Sequence, residues 1–373
     1  MRNILKILEE IARSSSFITT KYRNFRALLI PHTELESFFS NNSKSRQHVD
    51  DNTFSESKVL FGTGIGAERG VWKLETLLSK AMELRGYSSD FLVCDKVLSG
   101  CQRCLFTSNA KEKVFIDKGP NELCQSCHDP VMKSANIMDI NVLEFSNYLS
   151  DCETTEARKI SIELSIEEIK SYTVDSIGIG EHALAGTLRY YAKSSIDENS
   201  ITEILVLRKY FESAYLTYLC AKNIFSTKQY SVLVLHHGIY VPQGILAEVA
   251  KSYNVRVVVW NIAYRKNRFI FSHDKTYHHE LMEEPTSKWQ DLILDDEKVK
   301  DLDNYLMGRW FGKFDWINFQ AEKPSTDKEE ILNSLAIDLK NPTISLLTNV
   351  LWDAQLHYPN NTFENLLEWL FIT

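Results

Sequence analysis

The sequence predicts an α/β protein built on a parallel sheet, and three stretches carry that prediction. Lys58-Val-Leu-Phe61 is a short apolar run, Gly62 to Gly70 a glycine-rich turn, and Val71 to Leu84 a helical repeat carrying Trp72, Leu74, Leu77, Leu78 and Ala81; Asp90-Phe-Leu-Val-Cys94 then returns as a second apolar run. Tyr230 to Leu235, Ile245 to Tyr253 and Arg256 to Trp260 repeat the order strand, helix, strand. Pro342 to Val350 reads as a further buried strand, followed by an amphipathic run from Thr362 to Phe371. Short apolar runs joined through helices are the pattern of parallel strands, because a parallel neighbour is reached only by a crossover and both sheet faces are then covered.

Each element fits this scheme in order. Ile4, Leu5, Ile7, Leu8, Ile11 and Ala12 form one apolar stripe of an opening helix, whose polar face is not rich in Lys or Arg, so packing within the protein is expected over docking on a membrane surface. Glu9 and Glu10 interrupt that segment, so it does not read as a secretory leader. From Ser40 to Lys58 the chain turns polar and reads as a linker. Three pieces result: a helical segment and linker over 1–57, a main domain over 58–340 with a cysteine-rich insertion at 94–130, and 341–373 as the first strand and helix of a second α/β domain. Leu366 to Thr373 carry no Gly, Asn or basic C-cap signal, so the rest of that domain is expected to lie outside this chain, lost or supplied by a separate polypeptide.

The net charge of -8 over 373 residues argues against nucleic-acid binding, which needs clustered Lys and Arg. No run of eighteen apolar residues is present, so a cytoplasmic protein with at most peripheral contact to the inner membrane face is expected.

Gly62, Gly64 and Ala67 match the G-x-G-x-x-A form of the dinucleotide fingerprint, and the amides around Gly64 and Gly66 could hold a phosphate at the helix N-terminus. The acidic residue that should follow about 20 residues on is missing: Tyr87 stands there, with Asp90 and Asp95 beyond. The glycines could equally serve only a tight turn and close packing. Glu68 beside this turn is a candidate general base at the carboxyl edge of the sheet.

Cys101-Gln-Arg-Cys104 and Cys124-Gln-Ser-Cys127 are two C-x-x-C knuckles at a separation suited to four zinc ligands. A closed four-sulfur site leaves no open position, so a structural zinc supporting the insertion is expected from Cys101, Cys104, Cys124 and Cys127, with Cys94 or His128 as possible replacements for one ligand. Disulfides are disfavoured in a reducing compartment, and an iron-sulfur cluster stays open.

Asp175 to Tyr191 sets a glycine pair before a helix bearing Glu181, His182 and Arg189. Tyr230 to Leu235 ends in His236-His237-Gly238, and Arg256 to Trp260 is followed by Asn261 and Tyr264. Ligands of open α/β sheets bind beyond the carboxyl ends of the strands, where His236, His237, Asn261 and Tyr264 all fall. A histidine at such an end suits general-base work near neutral pH, although adjacent strand residues face opposite sides and one of the two is expected to be packed. His273, His278 and His279 lack a clean ligand spacing and read as a surface or cleft loop.

The strand, glycine turn and helix with Glu68, Leu84-Arg-Gly-Tyr87, His237-Gly238, Trp260-Asn-Ile-Ala-Tyr-Arg265, Phe271-Ser272 with Tyr277-His278, and Thr348-Asn-Val-Leu-Trp-Asp353 together resemble bacterial glycosyltransferases of capsule or surface-polysaccharide biosynthesis with the GT-B fold. The resemblance covers most of residues 58 to 373. It implies a Rossmann-like acceptor-side domain followed by the start of a donor domain, a nucleotide-sugar as donor, and a glycan or lipid-linked acceptor. By the same resemblance Glu68 or His237 would be the base, with Glu181, His182 and Arg189 lining the cleft. The basic and glycine-containing donor contacts of the family have no counterpart, so transfer by this chain alone is expected to be weak or absent. Two other classes stay open: an NAD(P)-dependent oxidoreductase using the Gly62–Ala67 loop, and a non-catalytic zinc-supported binding module.

Overall fold

The structure is a computed structural model that describes residues 58–64, 69–105, 112–263, 265, 268–311, 327–346, 350–353, 355–357, 362–363 and 365–373. The expected N-terminal helix and linker, and with them Gly66, Glu68 and Tyr264, lie outside these residues. The chain folds as a six-stranded sheet in the order β3-β2-β1-β4-β5-β6. β1 is Lys58–Gly64, β2 Ser88–Val93, β3 Val142–Glu144, β4 Val232–His236, β5 Arg256–Ile262 and β6 Phe269–His273. The first five run parallel and β6 pairs antiparallel with β5. This is a Rossmann-like doubly wound arrangement.

Alternation along the strands sorts the core into two layers. Val59, Phe61, Phe91, Val234 and Trp260 face one side, where α1 (Arg69–Glu83) covers them with Val71, Trp72 and Leu78. Leu60, Leu92, Leu233, Leu235, Val257 and Val259 face the other. Helices α2 (Glu112–Lys118) and α3 (Asn121–Met138) follow β2; Trp72 of α1 donates to Ser134 of α3 at 3.0 Å, which places α3 beside α1. Between β3 and β4 come α4 (Asp151–Glu163), α5 (Ile166–Ser171), α6 (Ile179–Tyr191) and α7 (Ile201–Thr227), and α8 (Gln243–Ser252) joins β4 to β5. Ser150 and Ser165 each form a reciprocal capping box with a glutamate three residues on, which starts α4 and α5 at defined points.

α7 is 27 residues long, which at the helical rise spans roughly 40 Å. It is buried on most of its circumference, and α6 lies against it through Gly186: a Cβ there would come 2.7 Å from Tyr210 Cε1. The Tyr210 hydroxyl in turn donates to the carbonyls of Cys101 and Cys104, both at 3.2 Å, and seats the cysteine loop on α7.

Beyond β6 the chain forms α9 (Tyr277–Glu283), α10 (Asp296–Trp310), α11 (Lys328–Ser334) and α12 (Leu366–Ile372). The expected strand from Pro342 to Val350 is not seen in its described part: residues 342–346 join no sheet, and Ile344 is 86% exposed. An extended segment without a ladder partner has no reason to bury its apolar side chains. Among the described residues no helix is long and apolar enough to cross a membrane.

Candidate functional site

The strand order reverses between β1, which leads outward to β2 and β3, and β4, which leads to β5 and β6. A crevice at such a point, beyond the carboxyl ends, is where this architecture places ligands. Gly64 closes β1 there with φ +69, a conformation that glycine adopts without a Cβ penalty. Gly62, by contrast, belongs to the strand; a Cβ on it would lie 2.6 Å from Leu233 Cδ1, so close packing of β1 on β4 accounts for that glycine. Asp90, one of two acids considered for a ribose, is buried toward the amino end of β2. Lys58 at 2.7 Å, the Tyr230 hydroxyl at 2.5 Å and Asn141 at 2.6 Å all engage its carboxylate. Burial pushes that carboxyl's pKa up, but these three partners outweigh it and hold it below the usual range. Asp95, just past β2, accepts from the Ser146 amide at 3.2 Å.

The loop after β4 forms the opposite wall. His237, Gly238 and Tyr240 take φ of +73, +73 and +63. Left-handed backbone at the two non-glycine positions costs on the order of 1 kcal/mol or more each. The His237 amide donates to Trp260 O at 3.1 Å and the Gly238 amide to the buried Gln243 Oε1 at 3.1 Å, so the strained turn is held from both sides. His236 and His237 are both half-buried, with ring centroids 6.2 Å apart; His236 lies 4.7 Å from the Trp260 ring and His237 6.1 Å from that of Tyr240. They therefore occupy different surroundings, as alternation along the chain requires. Asn261 is buried at the end of β5 and spends its Oδ1 on the Ile262 amide at 2.8 Å.

Directly beneath lies a buried acid that sequence reading did not single out. Glu75 of α1 is 2% exposed and accepts from the Thr63 hydroxyl and, at 3.0 Å, from Trp260 Nε1. Thr63 Oγ1 itself accepts from the His236 amide at 3.1 Å, so β1, β4, β5 and α1 are tied at one point near the carboxyl ends of the strands. Burial pushes the Glu75 carboxyl up to about 7, against the lowering effect of its two donors. The signal was present: Glu75 stands with Val71, Leu78 and Met82 on the apolar face of its helix, where a carboxylate is out of place.

Glu181, His182 and Arg189 come together, but on the flank of the loop and not in an open cleft. His182 is 2% exposed and bonds Glu248 of α8 at 2.8 Å, while Glu248 also accepts from the Gly178 amide at 3.3 Å. Burial raises the Glu248 pKa, yet His182 and the amide outweigh it and leave it below the usual range. Glu181 lies 3.5 Å from His357, whose ring sits 5.1 Å from that of His182. Arg189 donates to Gln102 O and lies 5.2 Å from the Tyr240 ring and 5.8 Å from that of Trp352. The Tyr240 hydroxyl donates to Asp353 at 2.9 Å. These contacts dock residues 350–353 and 355–357 against the β4–α8 loop.

The zinc site expected at Cys101, Cys104, Cys124 and Cys127 is not formed. Among the described residues, no group of three or more His, Cys, Asp or Glu side chains is arranged to hold a metal ion. Cys94, Cys101, Cys124 and Cys127 do wall one cavity, with Gly64, Leu98, Arg103, Leu123 and Pro242 as its other lining. Burial there pushes the Cys94 thiol up to about 12 and Cys124 above its ordinary range. Cys104 is fully buried, and its Sγ lies 3.9 Å from Cys101 Sγ; hydrogen bonding from Cys104 brings the Cys101 thiol down to about 7. His128, considered as a substitute ligand, is bonded to Glu144 at 2.8 Å.

No family model, curated protein or solved structure matches the chain. What the site can do must be read from its own groups: a half-buried imidazole at the reversal point of the sheet, a positive-φ glycine opposite, and a buried acid below.

Proposed function

We propose that this chain is a glycosyltransferase of surface or capsule polysaccharide biosynthesis, which uses a nucleotide-sugar as donor and a glycan or lipid-linked acceptor. The observation that supports this most is the strained presentation of His237 at the carboxyl edge of β4, beside the point where the strand order reverses between β1 and β4. In this reading His237 takes the proton of an acceptor hydroxyl as its oxygen bonds to the anomeric carbon, while the bond from that carbon to the diphosphate oxygen breaks and the diphosphate leaves with the electron pair. His236, packed against Trp260, is the structural member of the pair. The dinucleotide alternative draws less support, because Gly62 is consumed by packing and Asp90 by an ion pair.

The test is release of nucleoside diphosphate from a panel of nucleotide-sugars with oligosaccharide acceptors, together with acceptor binding by saturation-transfer NMR. His237→Gln is expected to lower release by about 10² to 10⁴-fold, the usual worth of a general base, while acceptor binding persists. Release that is indifferent to His237, or saturable binding of a nicotinamide cofactor in place of any sugar, overturns the reading.

A further inference from the structure

A concavity away from that reversal point opens where the chain leaves β2. It measures about 380 Å³ and lies between the segment at 96–99, the end of α2, and helices α4 and α7. That volume is within the range of small-ligand sites. Five cations line it: Lys96, Lys118, Arg158, Arg208 and Lys209. Only Asp117 and Glu212 oppose them, so the pocket carries a local excess of three positive charges in a chain whose net charge is -8.

The cations are poorly compensated. Lys96 reaches Asp129 at 3.5 Å and Arg208 donates to Ser161 O. Among the described residues no ion pair within 4.0 Å involves Lys118, Arg158 or Lys209, and the Lys209 ammonium lies 6.0 Å from the centre of the Phe115 ring. Lys209 is half-buried; its burial, and then Arg158, pull its pKa below the ordinary range, against the opposing pull of Glu212 and Asp117. Like charges gathered in a concave, partly desolvated place raise the free energy of the empty pocket, and an anion there would lower it.

We infer that this pocket binds a multiply charged phosphate anion, of the pyrophosphate type, through Arg158, Lys209 and Lys118. Two or three negative charges match the local excess, and Arg158 supplies a planar fork suited to phosphate oxygens, with the two lysines as point charges. The inference rests on this pocket alone and stands whether or not His237 transfers sugar.

The experiment is titration of the purified full chain with inorganic pyrophosphate, followed by calorimetry and by the melting midpoint, with sulfate at matched ionic strength as control. Saturable binding with a rising midpoint is expected, weakened at least tenfold in Arg158→Gln/Lys209→Gln and less in the exposed Lys118→Gln. Arg158→Gln alone is expected to leave the unliganded midpoint unchanged or higher, which separates lost binding from lost folding. A second arm uses phosphatidylcholine vesicles with and without phosphatidate. Binding of free pyrophosphate alone assigns the pocket to a soluble diphosphate ester, and phosphatidate-dependent vesicle binding that the double variant loses assigns it to a lipid phosphate. An equal response to sulfate, or an unchanged response in the double variant, overturns the inference.

Discussion

Glu75 makes the sharpest statement at the scale of a residue. Its folded pKa stands near 7 against an ordinary 4.5. Between those values the folded state holds a proton that the unfolded state has released, so stability falls as pH rises through that window and levels off above it. The loss is of the order of a few kcal/mol. Urea unfolding at pH 5 and pH 8 should show this fall in the wild-type chain. In Glu75→Gln, whose amide oxygen can still accept from Thr63 and Trp260, the slope should largely vanish; an unchanged slope would show that the carboxyl titrates normally. Residue-scale reading of the sequence was strongest where position alone decides, as for His236 and His237 at a strand end. It was weakest where convergence decides. The C-x-x-C spacings brought Cys101 and Cys124 to one cavity, but spacing carries no information on how sulfur atoms aim or how apolar their neighbours are.

Among the elements, β1, α1 and β2 were legible because an apolar run gives way to a 3.6-residue period and back. α7 gives periodicity little to work on, since a helix buried nearly all round loses the contrast between faces on which periodicity depends. β6 was not read as a strand: Phe269 and Phe271 are both partly exposed on an edge strand and alternate with residues that do not announce a core. Contact between elements gives a second prediction. A Cβ on Gly180 of α6 would fall against Ile169 O and lie 2.6 Å from Lys170 O, both backbone atoms that cannot rotate away. Gly180→Ala should therefore cost roughly 2–3 kcal/mol, the upper range of overpacking, read as a lower denaturant midpoint. A third concerns the cap of α4: Ser150→Ala removes a side chain that accepts from the Glu153 amide, and should cost about 1 kcal/mol by the same measurement.

Across the whole molecule, the docking of residues 350–353 and 355–357 links a late segment of the chain to the candidate site. Tyr240→Phe removes the bond to Asp353, worth about 1 kcal/mol, and should raise hydrogen exchange in that segment roughly fivefold without changing the core strands. Docking should also weaken in acid. Burial is the leading cause of a depressed pKa at His357, with His182 acting the same way and Glu181 and Glu248 opposing. A buried neutral imidazole must take up a proton below about 6.5 on release, so attachment is full above that value and declines as pH falls toward 5. Protection, taken relative to the intrinsic exchange rate at each pH, that stays flat between pH 7 and 5 would remove His357 from the latch.

The middle of the sheet also sets a timetable. Val59 of β1 hydrogen-bonds beside Val232 of β4, so the central ladder joins the earliest described strand to one made much later. During synthesis β1 can acquire β2 promptly, while its other edge, with Leu60 and Phe61 on it, waits until the ribosome has delivered everything up to Val234. Loop closure over such a distance is slow, and an open apolar edge invites pairing with other chains in the interval. Yield in cells should accordingly respond to translation speed and chaperone supply more than the stability of the finished fold would suggest.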